Sequence, residues 1–190
     1  MFNDSIRFVA QSIEKSPLLE KNGCYYQKFA NFFPEDLLND LVKVDETYKL
    51  EKVETQEHRN RLRLSYSENI SKKINLIFRS TKITTILESI YNTKLKPSSV
   101  DIWLDAGDYY MTPHTDDKRV KLAIQIYLGN DNVGTSLFPS RNSREPSETF
   151  DYILNCGYAL LNNEKSIHGP TAKVLHKKEP RRSVYIRYGN

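Results

Sequence analysis

Cysteine is scarce in this chain, and so are most signals of a secreted or membrane-bound protein. Only two cysteines, Cys24 and Cys156, occur in 190 residues. Two thiols cannot build a disulfide framework, and their scarcity fits a reducing compartment. No apolar run approaches the roughly 20 residues needed to span a bilayer. The first sixteen residues carry Asp4, Arg7, Glu14 and Lys15, so they lack the apolar centre of a signal peptide. Repeats, low-complexity tracts and a linker-like composition break are also missing. The formal net charge is only +4, short of the dense basic stripe usual in nucleic-acid binders. These absences point to a soluble, cytoplasmic protein. The expected organisation is one domain over residues 1–190, with 1–97 as mainly helical support and 98–190 as the core that carries chemistry.

Bulky aromatic residues and a change of pattern near the middle are what the chain does have. Twelve tyrosines and eight phenylalanines can line a core and a pocket. In the N-terminal third, the spacing predicts a helix capped by Asp4 and ended by Pro17, with Ile6, Val9 and Ile13 on one face. A strand is expected at Cys24–Phe29, then a helix with Pro34 near its first turn and Leu37, Leu38, Leu41 and Val42 as its apolar stripe. Residues 48 to 68 give no assignable pattern. Two further helical stripes occupy 70 to 91, with a break near Ser80.

From Val100 onward, short strands alternate with turns. Strands are expected at Val100–Leu104, Val120–Leu128, Thr135–Phe138, Tyr152–Leu154, Tyr158–Leu161 and Ser183–Tyr188, with a polar loop at Pro139–Thr149. Turns are expected at 105–108 and 129–132. Helices followed by many short strands imply an α+β fold whose second half is a barrel or jelly roll.

Within that second half stands His114-Thr115-Asp116, followed much later by His168. On an extended segment, residues i and i+2 share a face, so His114 and Asp116 can hold one metal together. His168, on what reads as another strand end, is the natural third ligand, and Gly169 beside it leaves room for a bound molecule. His-x-Asp alone is weak: with roughly one position in eight acidic, four histidines meet it by chance about two times in five. Asp117 falls on the opposite face and reads as a solvated neighbour; His58 and His176 read as surface groups. Two histidines and a carboxylate, with open positions, are the ligand set of non-haem Fe(II) oxygenases.

Arg181 to Tyr188 alternates cleanly. Arg181, Ser183, Tyr185 and Arg187 share one face; Arg182, Val184, Ile186 and Tyr188 share the other. On a surface strand the arginines would be solvated. In a barrel with helices outside, Arg181, Ser183 and Tyr185 would face the interior, where a buried guanidinium needs an anionic partner. A carboxylate gripped by Arg with an assisting hydroxyl meets that need.

The order of these residues resembles the Fe(II)- and 2-oxoglutarate-dependent dioxygenases, in particular their prolyl-4-hydroxylase-like branch. The resemblance runs through Gly107–Asp116, Leu122–Leu128, Gly134–Phe138, Gly157–Leu161, His168 and Arg181-Arg182-Ser183, and more loosely through 25 to 43. It implies a double-stranded β-helix (a jelly-roll or cupin-like barrel) with N-terminal helices packed on one sheet. It also implies that His114, Asp116 and His168 hold Fe(II), and that Arg181 and Ser183 bind the distal carboxylate of 2-oxoglutarate. Tyr109 or Tyr110 would be a further contact, and Arg182 the alternative to Arg181 if the register slips by one. Oxygen would be consumed and succinate and CO2 released, with ascorbate a further candidate cofactor. The implied activity is hydroxylation of a protein side chain or small metabolite. Trp103 or Leu104 stands where many hydroxylases have a tyrosine. The arginine pair 181 and 187 also resembles the AlkB-type nucleic-acid demethylases, but their Asn-x-Tyr motif is missing here. A cupin-like module without turnover is the third reading; a mere metal binder has no need of Arg181 and Ser183. Substrate contacts are expected from 50 to 68, with His58, Arg59, Arg61 and Arg63, and from Pro139 to Thr149, with Arg141 and Arg144.

Overall fold

A computed structural model describes residues 2–43, 51–52, 60–64, 66–175 and 179–189. The chain opens with α1 (Phe2–Lys15), β1 (Leu19–Lys21), β2 (Cys24–Phe29) and α2 (Glu35–Val42). It continues with β3 (Glu51–Lys52), β4 (Arg61–Leu64), α3 (Glu68–Phe78) and α4 (Thr81–Tyr91). Seven strands complete it: β5 (Lys96–Asp105), β6 (Leu122–Tyr127), β7 (Thr135–Leu137), β8 (Glu148–Phe150), β9 (Gly157–Leu161), β10 (His168–Pro170) and β11 (Arg181–Gly189). The eleven described strands form two antiparallel sheets. The larger has eight strands in the order β1-β2-β9-β6-β11-β5-β4-β3, and the smaller has three, β10-β7-β8. Among the described residues, no helix is long and apolar enough to cross a membrane.

The helices cover one face of the large sheet because its strands alternate. Val100, Ile102 and Leu104 of β5, Ile124 and Ile126 of β6, and Val184 and Ile186 of β11 join one buried cluster. Val9 and Ile13 of α1, Ile74 and Phe78 of α3, and Ile83 and Leu87 of α4 complete it. The opposite face of the same strands turns toward the small sheet and carries Asp101, Trp103 and Asp105, Gln125 and Tyr127, and the arginine face of β11. Tyr127, Tyr158, Leu137, Phe150 and Tyr152 pack into a second, smaller cluster there.

Local chemistry explains most boundaries. Ser67 and Ser80 cap α3 and α4 by accepting from the backbone N–H groups of Ile70 and Ile83, which orphan helix donors require. The expected break near Ser80 is therefore a cap between two helices. Gln27, fully buried on β2, donates to the carbonyls of Ile13 and Ser16 at 3.0 and 2.6 Å and so satisfies the end of α1.

Several expectations need correction. Asp4 lies in the first turn of α1, not at its cap; Pro34, expected near the first turn of α2, sits at its N-cap. The N-terminal third holds more than one strand: β1 and β2 form a hairpin across Asn22 and Gly23, both at positive φ. This is the two-residue Asn-Gly turn that hairpin twist favours. The unassigned stretch after residue 48 contributes β3 and β4, which extend the large sheet beside β5. Tyr152–Leu154 is not a strand; β8 lies earlier, at the end of the supposed polar loop. Asp105 is not a turn residue but the buried end of β5.

Ile124 is fully buried between the large sheet and the helices. Ile124→Ala is expected to lower stability by about 2–5 kcal/mol, read as a fall in the urea midpoint at unchanged m-value. A change below about 1 kcal/mol would contradict this packing.

Candidate metal centre

Two separated stretches meet through a pair of main-chain hydrogen bonds. The His114 amide donates to the His168 carbonyl at 2.9 Å, and the His168 amide donates back to His114 at 2.7 Å. His168 is itself registered against Leu137 in the small sheet, so the sheet fixes where His114 lies. The two imidazole centroids end 4.8 Å apart. Asp116, two residues beyond His114, turns to the same side, with its Oδ1 4.0 Å from His168 Nε2. The nitrogen and oxygen ligand atoms of all three lie within 4.8 Å of one another.

The surroundings set tautomer and orientation. Nδ1 of His114 lies 2.9 Å from the carbonyl of Thr112, and Nδ1 of His168 lies 2.9 Å from that of Ser166. A carbonyl only accepts, so each Nδ1 carries a proton and each Nε2 is the ring nitrogen turned toward the shared site. Burial first, then the neighbouring His168, pushes the His114 pKa down to about 4. The Tyr185 hydroxyl lies 3.0 and 2.9 Å from the two Asp116 oxygens and donates to that carboxylate. Asn162 holds the segment after it: one amide nitrogen reaches the carbonyls of Asp116, Asp117 and Val120 at 3.3, 3.1 and 2.9 Å.

A cleft of about 1110 Å³ opens over this triad and runs inward to Arg181. That guanidinium is 2% exposed. Its Nη1 donates to Asp105 at 2.8 Å and its Nη2 to Thr135 Oγ1 at 2.7 Å. Burial alone would lower its pKa, but Asp105 more than reverses this and raises it. Asp105 also takes Nε and Nη2 of Arg61 at 2.6 and 3.1 Å, so one buried carboxylate serves two cations. Arg61 stacks 4.4 Å from the Tyr109 ring and 5.2 Å from that of Trp103. Two buried polar atoms here have no hydrogen-bond partner among the described residues: Arg181 Nε and the Tyr109 hydroxyl.

The structure sorts the other expected residues. Arg181 faces the cleft and Arg182 does not, so the register is not shifted. Ser183 shares the inner face, but its Oγ accepts from Gln125 at 2.9 Å, within a buried network continued by Tyr158, and it is not part of the cleft wall. Thr135 is the hydroxyl that meets Arg181. Tyr109 is fully buried, whereas Tyr110 is 40% exposed at the rim. Trp103 lines the cleft, and Leu104 packs with the helix-facing core. Asp117 is exposed and paired with Arg119. Gly169 does leave room, but for the chain: a Cβ there would meet the Met111 carbonyl at 3.1 Å. Arg61 and Arg63 lie on β4, and Arg61 and Arg141 line the cleft. His58, Arg59 and His176 lie outside the described residues. Sequence reasoning missed Asp105, Thr135, Arg61 as a partner of Asp105, and Asn162. The Asp105–Arg181 pairing carried one available signal, since an acid ending one strand can meet a buried arginine beginning another.

No family model and no curated protein sequence matches the chain. Solved structures do. A prolyl-4-hydroxylase from Pseudomonas putida superposes with a TM-score of 0.65 at 12% identity, covering 96% of this chain and 99% of that one. A prolyl hydroxylase from Trichoplax adhaerens, in complex with a hypoxia inducible factor peptide fragment, gives 0.63 at 11% identity, with 99% and 90% covered. HygX from Streptomyces hygroscopicus, with nickel and 2-oxoglutarate bound, gives 0.59 at 12% identity, with 86% and 82% covered. The chain therefore has the fold of the prolyl hydroxylases and 2-oxoglutarate/Fe(II) oxygenases.

The depressed His114 pKa has a stability consequence. Between about 4 and the ordinary 6.5, the unfolded chain binds a proton at this histidine that the folded chain does not. Stability therefore rises with pH across that window and is lost as pH falls through it. Urea unfolding of metal-free protein should show this slope, and His114→Gln should flatten it. An unchanged slope in the variant would place the titration elsewhere.

Proposed function

We propose that the protein is an Fe(II)- and 2-oxoglutarate-dependent dioxygenase that hydroxylates a C–H bond of a protein side chain or a small metabolite. In this reading the two sheets are the walls of a double-stranded β-helix. The observation that carries the proposal is the conjunction of a preset His114–Asp116–His168 triad with a buried guanidinium in one cleft. Fe(II) with 2-oxoglutarate and O2 supplies oxidising power that no side chain of the protein has, at the cost of succinate and CO2.

The donor set fits these groups. Two imidazoles and one carboxylate on a single side leave the remaining coordination positions open. Tyr185 keeps the Asp116 carboxylate oriented, and the Thr112 and Ser166 carbonyls keep both Nε2 atoms facing inward. The unmatched Arg181 Nε and Tyr109 hydroxyl suit the distal carboxylate of the co-substrate, with Thr135 completing the wall. Tyr109 thus takes the role over Tyr110. Ser183 acts from behind, holding Gln125 in the cleft wall. Asp105 fixes the guanidinium plane before any ligand arrives, so little ordering cost falls on binding.

Adding Fe(II) and then 2-oxoglutarate without oxygen should produce the visible charge-transfer band of the chelate. His168→Ala and Asp116→Ala should abolish it. Arg181→Gln should keep it but raise the 2-oxoglutarate needed by about 10–100-fold, the worth of a charge-assisted contact. Tyr185→Phe should weaken metal binding by about 10–100-fold. A band that survives loss of either ligand, or no succinate once oxygen is admitted, would overturn the assignment. Formaldehyde released from methylated bases would favour the demethylase reading instead.

A further inference from the structure

The inner face of the large sheet carries a second arrangement of the same kind as Arg61–Asp105–Arg181. Asp101, 1% exposed as a side chain, is met by Arg63 Nη2 at 2.5 Å and by Arg187 Nη2 at 2.8 Å. Arg187 Nε donates to Ser99 Oγ at 2.8 Å. Its Nη1 has no partner among the described residues. Asp101 is shared by two guanidiniums and so does not neutralise Arg187 alone. The Arg187 side chain is 37% exposed and lines the same cleft as the metal triad. Nothing in the proposed chemistry uses it.

Position along β11 says what this group is for. Tyr185, whose hydroxyl touches Asp116, lies four residues from Arg181 and two from Arg187 on one strand face. At about 3.3 Å per residue, that is roughly 13 Å on one side and 7 Å on the other. The triad is thus flanked by a deep cation and a nearer one at the mouth. Arg187 leaves the strand on the opposite side of Tyr185 from Arg181. Arg187 stacks 5.9 Å from the Tyr185 ring, which steadies it beside the triad. Arg141 lines the same cleft, held by a 3.4 Å contact from its Nη2 to Thr115.

We propose that Arg187, braced by Asp101 and Ser99, is a second anion site that holds a carboxylate or phosphate group of the primary substrate. A guanidinium fixed on two of its nitrogens presents the third at little entropic cost, and an anion there gains a charge-assisted bond in a partly dry cleft. This makes the substrate a small anionic molecule, with the carbon to be attacked a short span from its charged end. The inference rests on the oxygenase reading for the word substrate, but the anion site itself does not.

Trp103, the single tryptophan of the chain, also lines this cleft and reports on it by fluorescence. Anaerobic protein loaded with Fe(II) and saturating 2-oxoglutarate is titrated with methyl phosphate and, separately, acetate, at ionic strength held constant with chloride. At least one anion should give a saturable change. The better of the two identifies the substrate's charged group as a phosphate or a carboxylate. Arg187→Gln should weaken that binding by about tenfold or more, and Arg187→Lys, which keeps the charge without the planar fork, by less. Should the glutamine variant not fold, the lysine variant decides, and unchanged affinity for both anions there overturns the proposal. It is equally overturned by no saturable change with either anion, by unchanged binding in a folded glutamine variant, or by competition between the anion and 2-oxoglutarate. Metal-free protein should bind the anion as well, because Arg187 is not a ligand. A result in which Arg181→Gln leaves 2-oxoglutarate binding intact while Arg187→Gln abolishes anion binding would refute the co-substrate assignment and spare this one.

Discussion

Charge buried on the inner face of a sheet must be matched, and this requirement organises the molecule. Strand β11 alternates arginine, serine and tyrosine on one side with valine, isoleucine and tyrosine on the other. The apolar side is satisfied by α1, α3 and α4. The polar side can exist only because β5, its neighbour in register, puts Asp105 opposite Arg181 and Asp101 opposite Tyr185. Breaking such a buried pair from one side costs about 3–5 kcal/mol, comparable with a sizeable fraction of a domain's whole stability. The pairing therefore constrains both the fold and the cleft, and neither can be altered without the other.

This explains which parts of the chain were legible in its sequence. Period 2 along β11 and the i, i+2 relation of His114 to Asp116 are local properties, and the structure follows them. The Ser80 break was visible for the same reason, since capping is a matter of adjacent residues. Partnerships across strands were not visible. Nothing local to Asp105 reveals that it meets Arg61 from 44 positions earlier and Arg181 from 76 later. Ser183 follows the expected alternation, yet Gln125 from β6 claims its hydroxyl. β3 and β4 carry little local signal because their runs are short; β4 is a strand through pairing with β5, and β3 through pairing with β4, rather than through intrinsic preference.

The triad owes its geometry to backbone more than to side chains. A reciprocal pair of amide bonds sets the spacing of His114 and His168, and carbonyls at Thr112 and Ser166 set their ring orientation. Loss of one neighbouring side chain would leave these restraints in place. The two groups that do act through side chains on Asp116 and its segment, Tyr185 and Asn162, come from the large sheet and the residue just after one of its strands. Small sheet and large sheet thus each hold one part of the site, with the cleft between them.

Asn162 fastens residues 116 to 120 through their carbonyl oxygens, and a carbonyl is present whatever amino acid stands there. The path of that segment is consequently indifferent to its own composition. Lys118 and Arg119 can differ in size or charge without removing any of the three carbonyls that Asn162 holds. Anchoring of this kind separates the position of the Asp116 carboxylate from the chemistry of the side chains that follow it.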